Sequence, residues 1–264
     1  MTVIAVISPK GGVGKTTVTA NLACALAMKG HDCRLIDLDP QNALRLHFGA
    51  QLGDSTGLIH QTLREASWEE AEFGSLYGVS FIPYGKATEF ERVAFELNLS
   101  QNPNLLRDNI TGLGDGPQTI TILDTPPGPS VYTQQALSVA QLILVVMMPD
   151  AGSFATLASI ENLIQHYCFS RSDYHGSYYV LNQFDAAHPL NRDIRTAMQN
   201  TLGERLAPYS IHRDASLSEA LAFQQPAGQY APHSQAVNDL AELSSWIYAK
   251  IERLPGRHHP NRQY

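Results

Sequence analysis

Residues 8–19 read SPKGGVGKTTVT, between an apolar run from Val3 to Ile7 and a helical pattern from Thr16 to Met28. A glycine-rich turn between a strand and a helix constrains the fold more than any other feature of this chain. Backbone N–H groups can converge on phosphate oxygens where glycines leave room for them, and the helix N-terminus adds partial positive charge. The stretch Gly11-Gly12-Val13-Gly14-Lys15-Thr16-Thr17 therefore reads as a phosphate-binding loop. Lys15 is expected to neutralise β- and γ-phosphate charge, and the Thr16 hydroxyl to complete the shell of a magnesium ion. Lys10, five residues earlier, is surplus to such a loop and needs a separate explanation.

The rest of the chain suits that loop. Its 264 residues are enough for one large domain, and 44% hydrophobic residues supply the core. Strand-like runs cover Val3 to Ile7, Cys33 to Leu38, Val79 to Pro83, Thr119 to Asp124, Leu142 to Met148, Tyr178 to Asn182 and Ala207 to Ile211. Several are apolar at consecutive positions, as strands covered on both faces must be. Helical patterns lie at Thr16 to Met28, Phe154 to His166, Asn191 to Leu202 and Gln235 to Arg253. The alternation predicts an α/β fold: a single domain, with a mostly parallel twisted sheet covered by helices on both faces. The stretch from Gly49 to Asp115, with Asp54, Gly57 and the Gly112–Gly116 turns, is expected to be helical decoration and loops on that domain. The domain is expected to span residues 1–253, and residues 254–264 to form a frayed tail.

Two further apolar strands end in carboxylates: RLIDLDPQ in Asp37 and Asp39, and TITILDTPPG in Asp124. Strand ends of this kind sit at the C-terminal edge of a parallel sheet, beside the phosphate loop. Asp124 is expected behind the magnesium site. Of Asp37 and Asp39, one is expected to hold a magnesium-bound water and the other to orient the attacking water.

The complete run Lys10-Gly11-Gly12-Val13-Gly14-Lys15-Thr16-Thr17 resembles the deviant Walker A motif of the MinD/ParA group of P-loop ATPases. The resemblance implies ATP and Mg2+ as cofactors and an ATP-dependent homodimer in which Lys10 reaches the partner's phosphates. It further implies that Asp39 is the switch aspartate, that Asn182 reads the adenine edge, and that IHRDASLSEA, with Arg213 and Asp214, passes over the base.

Within that group, IHRDASLSEALAFQQPAGQY, VSFIPYGKATEFERVAFE, LDTPPGPSVYTQQAL and VVMMPDAGSFATL resemble the BcsQ (YhjQ) ATPases of bacterial cellulose synthesis. That likeness implies a slowly hydrolysing ATPase that regulates assembly or placement of the inner-membrane cellulose synthase. Its implied partners are a small BcsR-like companion and a BcsE-like protein that binds cyclic di-GMP. A permanent ATP-stabilised scaffold and a ParA-like DNA partitioner remain as alternatives.

Composition bears on the last of these. Net charge is −7, and no lysine lies between Lys86 and Lys250, although Arg192, Arg195, Arg205 and Arg213 could gather in space. No specific nucleic acid partner is expected. The odd cysteine count (Cys24, Cys33, Cys168), the absence of an 18-residue apolar run and the lack of a basic amphipathic tail point to a cytoplasmic protein. It is expected to reach the inner membrane or cell pole through partners, without inserting directly. The ten histidines show no metal-ligand spacing and are expected to be structural or solvent-exposed.

Overall fold

In the computed structural model, residues 1–49, 56–74, 77–114 and 116–255 are described. The expected features at Asp54, Asp115 and residues 256–264 lie outside them. The strands are β1 (Thr2–Ile7), β2 (Cys33–Asp37), β3 (Phe73–Gly74), β4 (Val79–Ile82), β5 (Ile120–Asp124), β6 (Leu142–Met147) and β7 (Gly176–Leu181). The helices are α1 (Lys15–Ala27), α2 (Leu58–Leu63), α3 (Glu89–Gln101), α4 (Leu105–Gly112), α5 (Val131–Val139), α6 (Ala151–Ala155), α7 (Leu157–Cys168), α8 (Pro189–Leu202), α9 (Ala215–Ala222), α10 (Ala227–Tyr230) and α11 (Gln235–Ile251).

The strands form one sheet in the order β3-β4-β2-β5-β1-β6-β7, parallel throughout except for β3. Alternation along β1 shows why its run is apolar without a break. Val3, Ala5 and Ile7 face a layer containing Phe95, Tyr132 and Ile164. Ile4 and Val6 face the opposite layer, with Leu22 and Leu26 of α1 and Leu240, Leu243 and Ile247 of α11. The sheet is thus buried on both faces, as parallel sheets require. Helix starts follow local chemistry: α3 begins with a reciprocal capping box between Thr88 and Glu91, and Ser130 and Asp150 cap α5 and α6.

Three expectations are corrected. Residues Ala207–Ile211 run beside β7 through Ala207 N–H to Tyr179 O (2.7 Å) and Ile211 N–H to Leu181 O (2.8 Å), but form no strand. The two bonds are two residues apart on β7 but four apart on this segment, so the segment bulges and no regular ladder forms. The helix expected from Phe154 to His166 is split at Thr156, whose hydroxyl donates to Ser153 O (2.7 Å) and so competes with the helical ladder. Leu254, assigned to the tail, is buried against the α1–α11 layer one turn after Ile251.

The topology puts the chemistry together. β1 lies between β5 and β6, and β2 pairs with β5 so that Asp37 is opposite Asp124. The carboxylates therefore meet at the edge where the loop after β1 turns into α1.

Candidate functional site

The loop after β1 needs glycine at two places. Gly12 and Gly14 have φ of 77° and 81°, a region that strains side-chain-bearing residues. A Cβ on Gly14 would also lie 2.4 Å from the Asn182 amide nitrogen. Gly14 is the N-cap of α1, so Lys15, Thr16 and Thr17 occupy the first turn. Lys15 Nζ donates to Asp124 Oδ1 at 2.7 Å, and the Thr16 hydroxyl donates to Oδ2 at 2.6 Å. Thr19, which sequence reasoning missed, adds a bond to Oδ1 at 2.9 Å. Its signal was available: Thr19 is four residues after Lys15 and shares its helix face. Asp124 is fully buried and Lys15 nearly so.

Asp37, expected at the metal, is built into the loop that follows it. Its Oδ1 accepts from Asp39 N–H (2.9 Å) and its Oδ2 from Leu44 N–H (3.1 Å). Burial, and then the neighbouring Asp124, push its carboxyl well above the usual range. Asp39, whose Oδ1 accepts from Gln41 N–H at 3.0 Å, is also raised, first by burial. Thr16 and Asp124 form a hard oxygen pair beside Lys15, a donor set that suits magnesium. Among the described residues no cluster of three or more His, Cys, Asp or Glu side chains forms a metal site.

His47 lies in the single helical turn Leu44–Phe48 after this loop, and burial drives its pKa from 6.5 down to about 4. The unfolded chain thus binds the extra proton first, so this contribution to stability is complete above pH 6.5 and is lost as pH falls towards 4. The stability of His47→Gln relative to wild type is expected to rise by about 3 kcal/mol between pH 7 and pH 4. Urea unfolding of both proteins across that range measures it; parallel curves would refute it.

Lys10 does not turn towards Lys15. Its Nζ donates to both oxygens of Asp150, at 2.9 and 2.7 Å, and the side chain is 37% exposed. Asp150 simultaneously caps α6 by accepting from Ser153 N–H at 2.7 Å.

A cleft of about 550 Å³ opens beside the loop, lined in part by Gly14, Thr17, Asn182, Arg213 and Asp214. Asn182 donates through Nδ2 to Val13 O at 2.7 Å, which turns its Oδ1 away with no hydrogen-bond partner although it is buried. Gln183 similarly donates to Gly12 O at 3.2 Å. Asp214 instead serves the fold: it caps α9 through Ser216 N–H (2.9 Å) and accepts from Ala236 N–H (3.3 Å). Of the four arginines expected to gather, Arg192 donates to Ala186 O, Arg195 to Pro208 O and Arg205 to Glu161, while Arg213 stands at the cleft.

Known proteins share this arrangement. The family model "Cellulose biosynthesis protein BcsQ" matches residues 1–248. Cellulose biosynthesis protein BcsQ of Salmonella typhimurium is 26% identical over 254 residues, covering 93% of this chain and 94% of that protein. Chromosome partitioning protein ParA of Caulobacter vibrioides is 28% identical over 260 residues, covering 95% and 92%. In three dimensions the chain is similar to the septum site-determining protein MinD of Pyrococcus horikoshii, solved with Mg-ADP, at a TM-score of 0.78 and 23% identity over 95% of this chain and 98% of that one. A two-lysine phosphate loop on a parallel sheet, matched from end to end in this way, shows that the chain belongs to the BcsQ family of cellulose biosynthesis proteins, among the MinD/ParA-type P-loop ATPases.

Proposed function

We propose that this protein is an ATP-dependent dimerisation switch that hydrolyses ATP slowly and regulates assembly or positioning of a bacterial cellulose synthase complex. The observation that carries the proposal is the division of labour between the lysines. Lys15 is buried at its own phosphate loop, whereas Lys10 is half-exposed at the rim, on Asp150. The site fits a magnesium-bound nucleoside triphosphate: Gly12 and Gly14 open the cradle, Thr16 and Asp124 offer oxygens, and the unpartnered Asn182 Oδ1 awaits a donor. Magnesium there would supply charge neutralisation on the phosphates. The protein's own residues do the rest. Lys15 holds phosphate in cis, Lys10 neutralises the partner's phosphates, and Asp39 orients the attacking water.

The partners proposed are a second copy of this chain, a small BcsR-like protein, a BcsE-like cyclic di-GMP-binding protein and the inner-membrane synthase. Recruitment to the membrane or pole would run through them, because among the described residues no helix is long and apolar enough to cross a membrane. Light scattering tests the switch. The 29.0 kDa chain should double in mass with ATP and magnesium and return to monomer as ATP is consumed. A dimer that ignores nucleotide would refute it. Asp150→Ala frees Lys10, so half-dimerisation should need about two- to fivefold less ATP, the worth of one partly exposed ion pair.

The Caulobacter ParA relative favours a DNA-partitioning reading. Net charge is −7 and no lysine lies between Lys86 and Lys250, so binding to random duplex at physiological salt should be weak or absent. Sub-micromolar, salt-sensitive affinity would favour the partitioner.

A further inference from the structure

The wall of the cleft opposite the phosphate loop is the segment Ile211–Asp214, and α11 grips it from behind. Asp239 of α11 accepts twice on one oxygen from His212: from its main-chain N–H at 2.9 Å and from ring Nδ1 at 2.8 Å. The other oxygen of Asp239 accepts from Gln235 Nε2 at 2.8 Å. Phe184 packs edge-on against the imidazole, with ring centroids 5.7 Å apart at 79°. The histidine is therefore fixed in position, while its side chain remains 37% exposed and lines the cleft.

This geometry also sets the chemistry of the ring. A carboxylate only accepts, so the neutral imidazole must carry its hydrogen on Nδ1, and Nε2 is left as a bare acceptor. The cleft already contains another acceptor of that kind. Asn182 donates one amide hydrogen to Val13 O, and its buried Oδ1 has no partner. Two residues of the cleft lining, His212 and Asn182, thus each keep one acceptor with no partner within the protein while the opposite side of the ring or amide is bonded. Such a pair suits a ligand that presents hydrogens, as the exocyclic amine of a 6-aminopurine does. A 6-oxopurine would turn a lone pair towards acceptors and leave them unsatisfied.

We propose that His212, held in its Nδ1–H tautomer by Asp239, is a specificity-determining residue that selects the 6-amino group of the nucleobase. The proposal rests on the cleft being the base site of the proposed function. Asp239 is the positioning residue and His212 the contact.

The test measures affinity, by calorimetry, for ATP and for purine riboside 5′-triphosphate, which lacks only the amine. His212→Leu should weaken ATP by about three- to tenfold, one hydrogen bond, and change purine riboside triphosphate by less than about twofold. The preference for ATP over GTP should shrink with it. His212→Gln can donate to Asp239 while presenting an oxygen, and should keep the amine-dependent preference. Equal losses for both ligands would reduce His212 to a piece of wall and overturn the proposal, as would no loss for either. Asn182→Ala separates the two levels of the argument. If it couples to the amine and His212 does not, the His212 assignment alone fails; if neither variant affects ATP binding, the base lies elsewhere and the functional reading fails with it.

Discussion

Lys15→Ala should remove most of the ATP affinity and, separately, destabilise the protein before any nucleotide is added. The first effect follows from losing a charge-assisted phosphate contact worth about 1.5–3 kcal/mol, a drop of roughly tenfold to a hundredfold or more. The second follows from burial. Asp124 is fully buried, and Lys15 is the cation that compensates it at 2.7 Å; Thr16 and Thr19 add hydroxyls but no charge. Removing one partner of a buried pair strands the other, at a cost of about 3–5 kcal/mol. Lys15→Ala with Asp124→Asn should recover part of that stability and none of the ATP affinity. Urea unfolding reads the first quantity and calorimetry the second. ATP affinity within twofold of wild type in Lys15→Ala would disprove the phosphate-loop assignment.

Lys10→Ala and Asp39→Ala should fail in opposite directions. If Lys10 reaches the partner's phosphates as proposed, an interface holding two triphosphates loses both of its trans cations without it, so ATP should still bind but no longer support the dimer. If Asp39 orients the attacking water as proposed, Asp39→Ala leaves the phosphate contacts in place and removes only the hydrolysis step, so ATP should bind normally and the dimer should persist. Asp39 also accepts from Gln41 N–H, so part of any loss in that variant could come from a looser loop. Asp39→Asn, which retains an acceptor oxygen, controls for this. A mixture of the two alanine variants would give heterodimers with one intact lysine arm, which should associate weakly. Light scattering with ATP and magnesium distinguishes all of these. Tight ATP-dependent dimers of Lys10→Ala would contradict the trans-lysine proposal.

What could be read from the sequence was whatever is local. The runs that became β1, β5 and β6 are buried at every position, and β2, β4 and β7 leave only one or two residues each half-buried, so a mostly apolar run marks every one of them. The glycines and lysines of the phosphate loop obey a fixed local geometry. The pairings that complete the site are not local. Thr19 meets Asp124 across 105 residues and Lys10 meets Asp150 across 140, because strand order places β1 between β5 and β6. The bonds of Asp37 were not legible for another reason: the turn after β2 folds back so that the N–H groups of Asp39 and Leu44 both reach its buried carboxylate. His47 and His212 carry no spacing signal at all; only the contacts around them set them apart from the other histidines.

The clasp between Lys10 and Asp150 has a consequence for reversibility. A carboxylate that gives up its only donor is a poor leaving group for a lysine, because it must find replacement bonds at once. Asp150 is spared that, since it also accepts from the Ser153 N–H at 2.7 Å and its one-third exposure lets water take the vacated sites. Opening the clasp is therefore cheap, and so is closing it. With Lys10 acting in trans as proposed, a protein built this way would cycle without a deep trap at either end, and one acidic side chain outside the phosphate loop would tune the concentration at which it commits to pairing.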